Sequence, residues 1–137
     1  MLMAAKKIKV ILADCSSQFT RAIGEFLTVN NYEVAACVNR MSDLMTVLKA
    51  TQADVLIYDY LNADESLEET FNEARKYNPD LKIMVMSFDI EPLYASEYKR
   101  AGANSVCNKN LNNYNDLLAL INKTAKMQTG QAIILAA

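Results

Sequence analysis

Five short apolar runs alternate with five amphipathic stretches along this chain, and that alternation constrains the fold more than any other feature. The runs are KKIKVILAD (6–14), YEVAACV (32–38), DVLIYD (54–59), LKIMVMS (81–87) and NSVCN (104–108). They are mostly apolar along their length, the pattern of strands buried on both faces. In SSQFTRAIGEFLTVNN (16–31), Phe19, Ala22, Ile23, Phe26 and Leu27 fall on one helical face. MSDLMTVLKATQ (41–52) carries a Met41–Met45–Leu48 stripe, and ESLEETFNEARKYN (65–78) a thin one, Leu67–Phe71–Ala74. IEPLYASEYKRAGA (90–103) takes Pro92 in its first turn and ends on Gly102. LNNYNDLLALINKTAKM (111–127) gathers Tyr114, Leu117, Leu118, Ile121 and Ala125 on one face. Ser16 or Ser17 and Ser42 are cap candidates.

Strand and helix repeated five times give a parallel sheet. Right-handed crossovers then lead to a doubly wound α/β fold, and five strands suit the flavodoxin-like order 2-1-3-4-5 with five helices. The 137 residues fit one domain over 1–127, followed by the uncharged stretch QTGQAIILAA (128–137) as a C-terminal tail or truncated linker. With 52% hydrophobic and 22% charged residues, a sizeable core is expected. A net charge of −2 and the lack of a basic run give no reason for direct nucleic-acid binding. No apolar segment approaches the roughly 20 residues a membrane span needs, and no signal-peptide pattern opens the chain. The expectation is a soluble cytoplasmic protein without membrane contact. The absence of His and the wide spacing of Cys15, Cys37 and Cys107 argue against zinc sites, His-based catalysis and a disulfide framework.

In such folds ligands bind beyond the carboxyl ends of the strands, where the winding reverses. The first strand ends at Asp14, the third at Asp59 and the fourth at Ser87, and Lys109 follows the fifth. Two carboxylates, a hydroxyl and an ammonium are thus expected on one rim. A carboxylate there can attack phosphorus to give an aspartyl-phosphate. Lys and a hard cation would neutralise the phosphoryl charge, and Mg²⁺ takes such oxygen ligands. The plainer reading, polar residues at loop starts, applies to any one of the four but less readily to all of them together.

With these residues in view, the sequence resembles the receiver domain of bacterial two-component response regulators over about residues 6–127. The landmarks are VILAD ending at Asp14, ADVLIYDY with Asp59, IMVMS with Ser87 and AGANSVCNK with Lys109. YNPDLKIMVMS and the RAGA before the fifth strand look like receivers that precede helix-turn-helix output domains. The resemblance implies Asp59 as phosphoacceptor, Lys109 as phosphate contact, Ser87 as switch hydroxyl, and Asp14, Asp59 and the Leu61 backbone carbonyl as Mg²⁺ ligands. It implies a histidine kinase or phosphotransfer protein as partner and a homodimer through the face of helix 4, strand 5 and helix 5. Any catalysis would be limited to self-catalysed phosphoryl transfer to Asp59.

Several positions depart from that pattern. Cys15 stands where the family has a second acidic residue, and soft sulfur is a poor ligand for Mg²⁺, so binding is expected to be weak or lost. The loop after Asp59, YLNADESL, lacks the family's Met-Pro and Gly. Phe88 follows the switch hydroxyl where a small residue is usual, Val106 replaces the aromatic on the fifth strand, and Asn110 replaces Pro. The chain therefore reads as an atypical receiver, phosphorylated on Asp59 or working without phosphorylation through partner binding. Asp64, Glu65 and Asp89 read as solvated charges at loops or helix starts; the alternatives are an oxygen ligand from Asp64 or Glu65, and contact of Asp89 with an attacking water or Lys109. Tyr94 and Tyr98, one turn apart on the fourth helix, read as packing under the sheet edge, with an aromatic surface for a partner as the alternative. Two further readings stand beside this one. The chain could be the receiver part of a DNA-binding regulator whose output domain is absent, or a flavodoxin-like cofactor-binding protein or enzyme. Three glycines leave no phosphate-binding nest for the latter.

Overall fold

A computed structural model of the protein describes residues 6–62, 64–128 and 133–134. Its elements follow the expected alternation: β1 (Lys9–Ala13), α1 (Ser17–Val29), β2 (Glu33–Val38), α2 (Met41–Ala50), β3 (Val55–Tyr58), α3 (Leu67–Tyr77), β4 (Lys82–Ser87), α4 (Pro92–Ala101), β5 (Ser105–Asn108), α5 (Tyr114–Ala125) and β6 (Ile133–Ile134). The strands are parallel in the order β2-β1-β3-β4-β5-β6. The flavodoxin-like order 2-1-3-4-5 is present, and β6 extends it by one short strand. The tail read as a linker therefore includes a paired segment, with Ser105 opposite Ile133 and Val106 opposite Ile134. Two adjacent β-branched residues suit a strand and meet the otherwise unpaired edge of β5.

Alternation along each strand divides the core into two layers. Ile11, Leu56, Tyr58, Ile83, Val85 and Val106 face α2, α3 and α4, where they meet Leu44, Leu48, Phe71 and Tyr98. Val10, Leu12, Val55, Ile57, Met84, Met86 and Cys107 face α1 and α5, where they meet Ile23, Leu27, Leu117 and Ile121. β3 and β4 are buried along their whole length, Lys82 and Ser87 at the two ends of β4 included. β2 lies at the sheet edge, and its Glu33, Ala35 and Cys37 are exposed, so its apolar run overstates its burial. Cys37 is thus not a packed core thiol.

Helix ends follow local chemistry. Ser16 caps α1 by accepting from the Phe19 N–H at 3.2 Å. Ser66 caps α3 from the Glu69 N–H at 3.3 Å, with acids in the first turn and Arg75 and Lys76 in the last. The expected Ser42 cap is not used, because α2 begins one residue earlier, at Met41, after an extended Arg40. α4 ends on Gly102 at φ 114°, a left-handed value that a side chain resists. A Cβ there would also stand 2.9 Å from Arg75 Nη1. Gly102→Ala is expected to cost about 1–2 kcal/mol, measured as a lower urea midpoint with an unchanged slope.

Candidate functional site

Three of the four rim residues are held by the sheet's own hydrogen-bond ladder, continued one step past each strand. The Asp14 N–H donates to the Val38 carbonyl at 3.1 Å, the Asp59 N–H to Ala13 at 2.9 Å and the Lys109 N–H to Ser87 at 2.9 Å. A parallel sheet fixes these backbone positions closely, which is why the side chains converge.

Lys109 lies at the centre. Its Nζ is 2.6 Å from Asp14 Oδ2 and 2.6 Å from Asp59 Oδ2. The outer oxygens are bound to the main chain: Asp14 Oδ1 accepts from the Ser16 N–H at 2.9 Å, and Asp59 Oδ1 from the Tyr60 N–H at 2.8 Å. Side-chain exposure is 7% for Lys109, 4% for Asp14 and 18% for Asp59, so the charges act on one another at low dielectric. Asp14 Oδ2 is buried and accepts no hydrogen bond of ordinary geometry, so the ammonium is what offsets its charge. The Phe19 ring lies 4.5 Å and the Phe88 ring 5.3 Å from the same nitrogen. Both rings turn electron-rich faces to a cation.

Burial pushes the Asp59 carboxyl above its usual range, with a smaller contribution from Asp14, and the Lys109 ammonium and Tyr60 N–H reverse this only in part. Burial works against the charge on Lys109, but the two carboxylates outweigh it and hold the ammonium above its ordinary value. A carboxyl raised in the folded state favours folding while protonated, and that contribution is lost as pH rises through the raised value. Ionised Asp59 therefore destabilises the fold at neutral pH. Asp59→Asn is expected to stabilise the protein at pH 7 by about 1 kcal/mol. The advantage over wild type should shrink as pH falls toward about 4, read from urea midpoints across that window.

Ser87 reaches the rim, where it turns toward α4. Its Oγ accepts from the Asp89 N–H at 3.1 Å and lies 3.4 Å from the Tyr98 hydroxyl, which also donates to the Asp89 carbonyl at 3.0 Å. Tyr98 is buried as expected, but its hydroxyl ties α4 to the end of β4; Tyr94 is 41% exposed.

The loop after Asp59 is organised by Glu65, which is not a solvated charge. Its Oε1 accepts from the N–H groups of Leu61 at 2.8 Å and Asn62 at 3.3 Å. Its Oε2 accepts from the hydroxyls of Tyr58 and, at 3.1 Å, Thr70. Four donors thus occupy the carboxylate. Leu61, expected to offer its carbonyl to a metal, is placed by this bond from its own N–H. Asp64 is exposed.

The donor set does not fit Mg²⁺. That ion wants near-octahedral oxygens and keeps several waters. Here both inner carboxylate oxygens contact an ammonium, both outer ones are hydrogen-bonded, and Cys15 is exposed while its neighbour Asp14 is buried. No group of three or more His, Cys, Asp or Glu side chains among the described residues is arranged to hold a metal ion.

No family model and no curated protein matches the chain. Solved structures do match. The signal receiver domain of the response regulator NarL from Mycobacterium tuberculosis superposes with a TM-score of 0.79 at 18% identity, covering 90% of this chain and 100% of that one. The isolated receiver domain of RcsB from Salmonella enterica serovar Typhimurium, solved with the phosphomimetic BeF3−, gives 0.74 at 18% identity over 95% and 94%. A response regulator from Burkholderia pseudomallei with a phosphorylated aspartic acid and a calcium ion gives 0.73 at 17% identity over 88% and 69%. The fold is that of response-regulator receiver domains. Among the described residues, no helix is long and apolar enough to cross a membrane.

Proposed function

We propose that this chain is a receiver-type signalling module that works by binding a partner, without phosphoryl transfer to Asp59. The contact of Lys109 with both Asp14 and Asp59 carries the reading. What supports it is that the charges of the rim are already balanced internally, two carboxylates against one ammonium. Cys15 stands where a further metal-binding acid would be needed, and no step is assigned to Mg²⁺. The partner surface is the α4 side, where Leu93 is 70% and Tyr94 41% exposed. β6 lies on the β5 edge, so a homodimer through α4, β5 and α5 would use helix surfaces instead of strand pairing. Attachment to a DNA-binding output domain extends the same proposal; a similar structure, RcsB from Salmonella typhimurium, was solved in connection with DNA interaction.

A second reading has its own support. Asp59 sits beside an ammonium, with Ser87 at the end of the adjacent strand, as a phosphoacceptor requires. In that case a histidine kinase or phosphotransfer protein is the partner. Asp59 Oδ would attack phosphorus as the donor's P–N bond breaks. Incubation with acetyl phosphate and Mg²⁺, followed by intact mass measurement, separates the two. The proposal expects the mass to stay unchanged. A gain of one phosphoryl group that Asp59→Asn abolishes would establish the second reading instead.

A further inference from the structure

We infer that Lys109 is the resident cation of the rim, and that the site is built around its ammonium in place of a divalent metal ion. This concerns the charge balance of the rim and stands apart from whether Asp59 is ever phosphorylated.

Three observations converge. The first is contact: one nitrogen reaches the inner oxygens of two carboxylates, both at 2.6 Å, and lies between strand ends where the ladder fixes all three backbones. The second is the commitment of the outer oxygens to the N–H groups of Ser16 and Tyr60, at 2.9 and 2.8 Å. A metal ion would have to displace the ammonium and then find its remaining ligands elsewhere. The third is the pair of aromatic rings. Phe19 and Phe88 stand 4.5 and 5.3 Å from Nζ. Ring faces attract an ammonium. They offer no oxygen to Mg²⁺ and take up space that its retained waters would need. Aromatic rings, an outward-facing thiol and two committed carboxylates together suit an organic cation held by its own stem.

Removal of that cation should uncover a demand for another. Without the ammonium, Asp14 and Asp59 are two like charges in a mostly buried setting, and a divalent ion is the obvious replacement. The test is a titration of ¹⁵N-labelled protein with MgCl₂ and, separately, CaCl₂, starting from chelator-treated samples. Wild-type amides of Cys15, Ser16, Tyr60 and Asn110 are expected to stay in place up to about ten millimolar, a range that covers weak sites. Lys109→Ala and Lys109→Gln are expected to bind either ion at least about tenfold more tightly than wild type, as loss of a unit charge at contact distance implies. Their thermal midpoints should rise with added metal. Saturable millimolar binding by wild type that Asp14→Asn or Asp59→Asn removes would overturn the inference. So would a folded Lys109 variant indifferent to both ions. A variant that folds only when metal is added supports it. If neither variant folds, the wild-type titration still decides.

Discussion

Lys109→Ala is expected to destabilise the fold by about 3–5 kcal/mol, the usual consequence of leaving a buried charge without its partner. The reason is local. The substitution leaves Asp14 Oδ2 buried with nothing to offset it, and it places Asp59 beside a second carboxylate. The ring contacts add to this, because the ammonium lies over the Phe19 and Phe88 rings and both contacts are lost. Most of the loss should be electrostatic and hence partly reversible at a second site. Asp59→Asn should recover clearly more in the Lys109→Ala background than the about 1 kcal/mol it gains in wild type, which makes the two substitutions non-additive. Urea unfolding of the four species in chelator-containing buffer measures this. Simple additivity would mean that the three side chains do not act as one cluster.

Glu65→Ala is expected to cost about 2–4 kcal/mol, which is large for a residue on a surface loop. Its carboxylate accepts from two backbone N–H groups and two hydroxyls. Tyr58 is only 1% exposed, so its hydroxyl would lose its partner in the interior. Its ring meets Phe71 edge-on at 5.3 Å, which leaves little room to turn elsewhere. Burial and the Glu65 charge both push the Tyr58 hydroxyl far above its ordinary value, so it acts as a donor at any working pH. Glu65→Gln has one carbonyl oxygen where the carboxylate has two and should fall between wild type and Ala. Faster hydrogen exchange at Leu61 and Asn62, with β1 unaffected, would identify the loop as the part that loosens.

The periodic part of this molecule was legible in the sequence. Short apolar runs marked β3 and β4, alternation divided Met84 and Met86 from Ile83 and Val85, and the strand ends pointed to Asp14, Asp59, Ser87 and Lys109. What escaped depends on single long-range contacts without any period. Arg75 donates to the carbonyls of Leu81 and Gly102 and to Asn104 Oδ1, at 3.1, 2.7 and 2.7 Å, tying α3 to the turn before β5. Nothing in the pattern of α3 marks it. The Tyr98 bond to the end of β4 and the place of Phe19 against Lys109 are of the same kind. Glu65 did leave a signal. The loop after Asp59 has neither Gly nor Pro, so its N–H groups needed an acceptor from somewhere. Two acids, Asp64 and Glu65, stand before the Ser66 cap, and Glu65 is the one that turns back to accept. β6 was missed because two isoleucines in an uncharged tail do not reveal which edge they will meet.

The most direct measurement for the whole account is the ¹H–¹⁵N spectrum of the labelled protein before and after addition of beryllofluoride with Mg²⁺. If Lys109 already balances the acid pair and the module works without phosphoryl transfer, the amides of Asp14, Asp59, Tyr60, Ser87, Asp89 and Lys109 will keep their positions. Saturable shifts at those amides that extend into α4 and vanish in Asp59→Asn would contradict it.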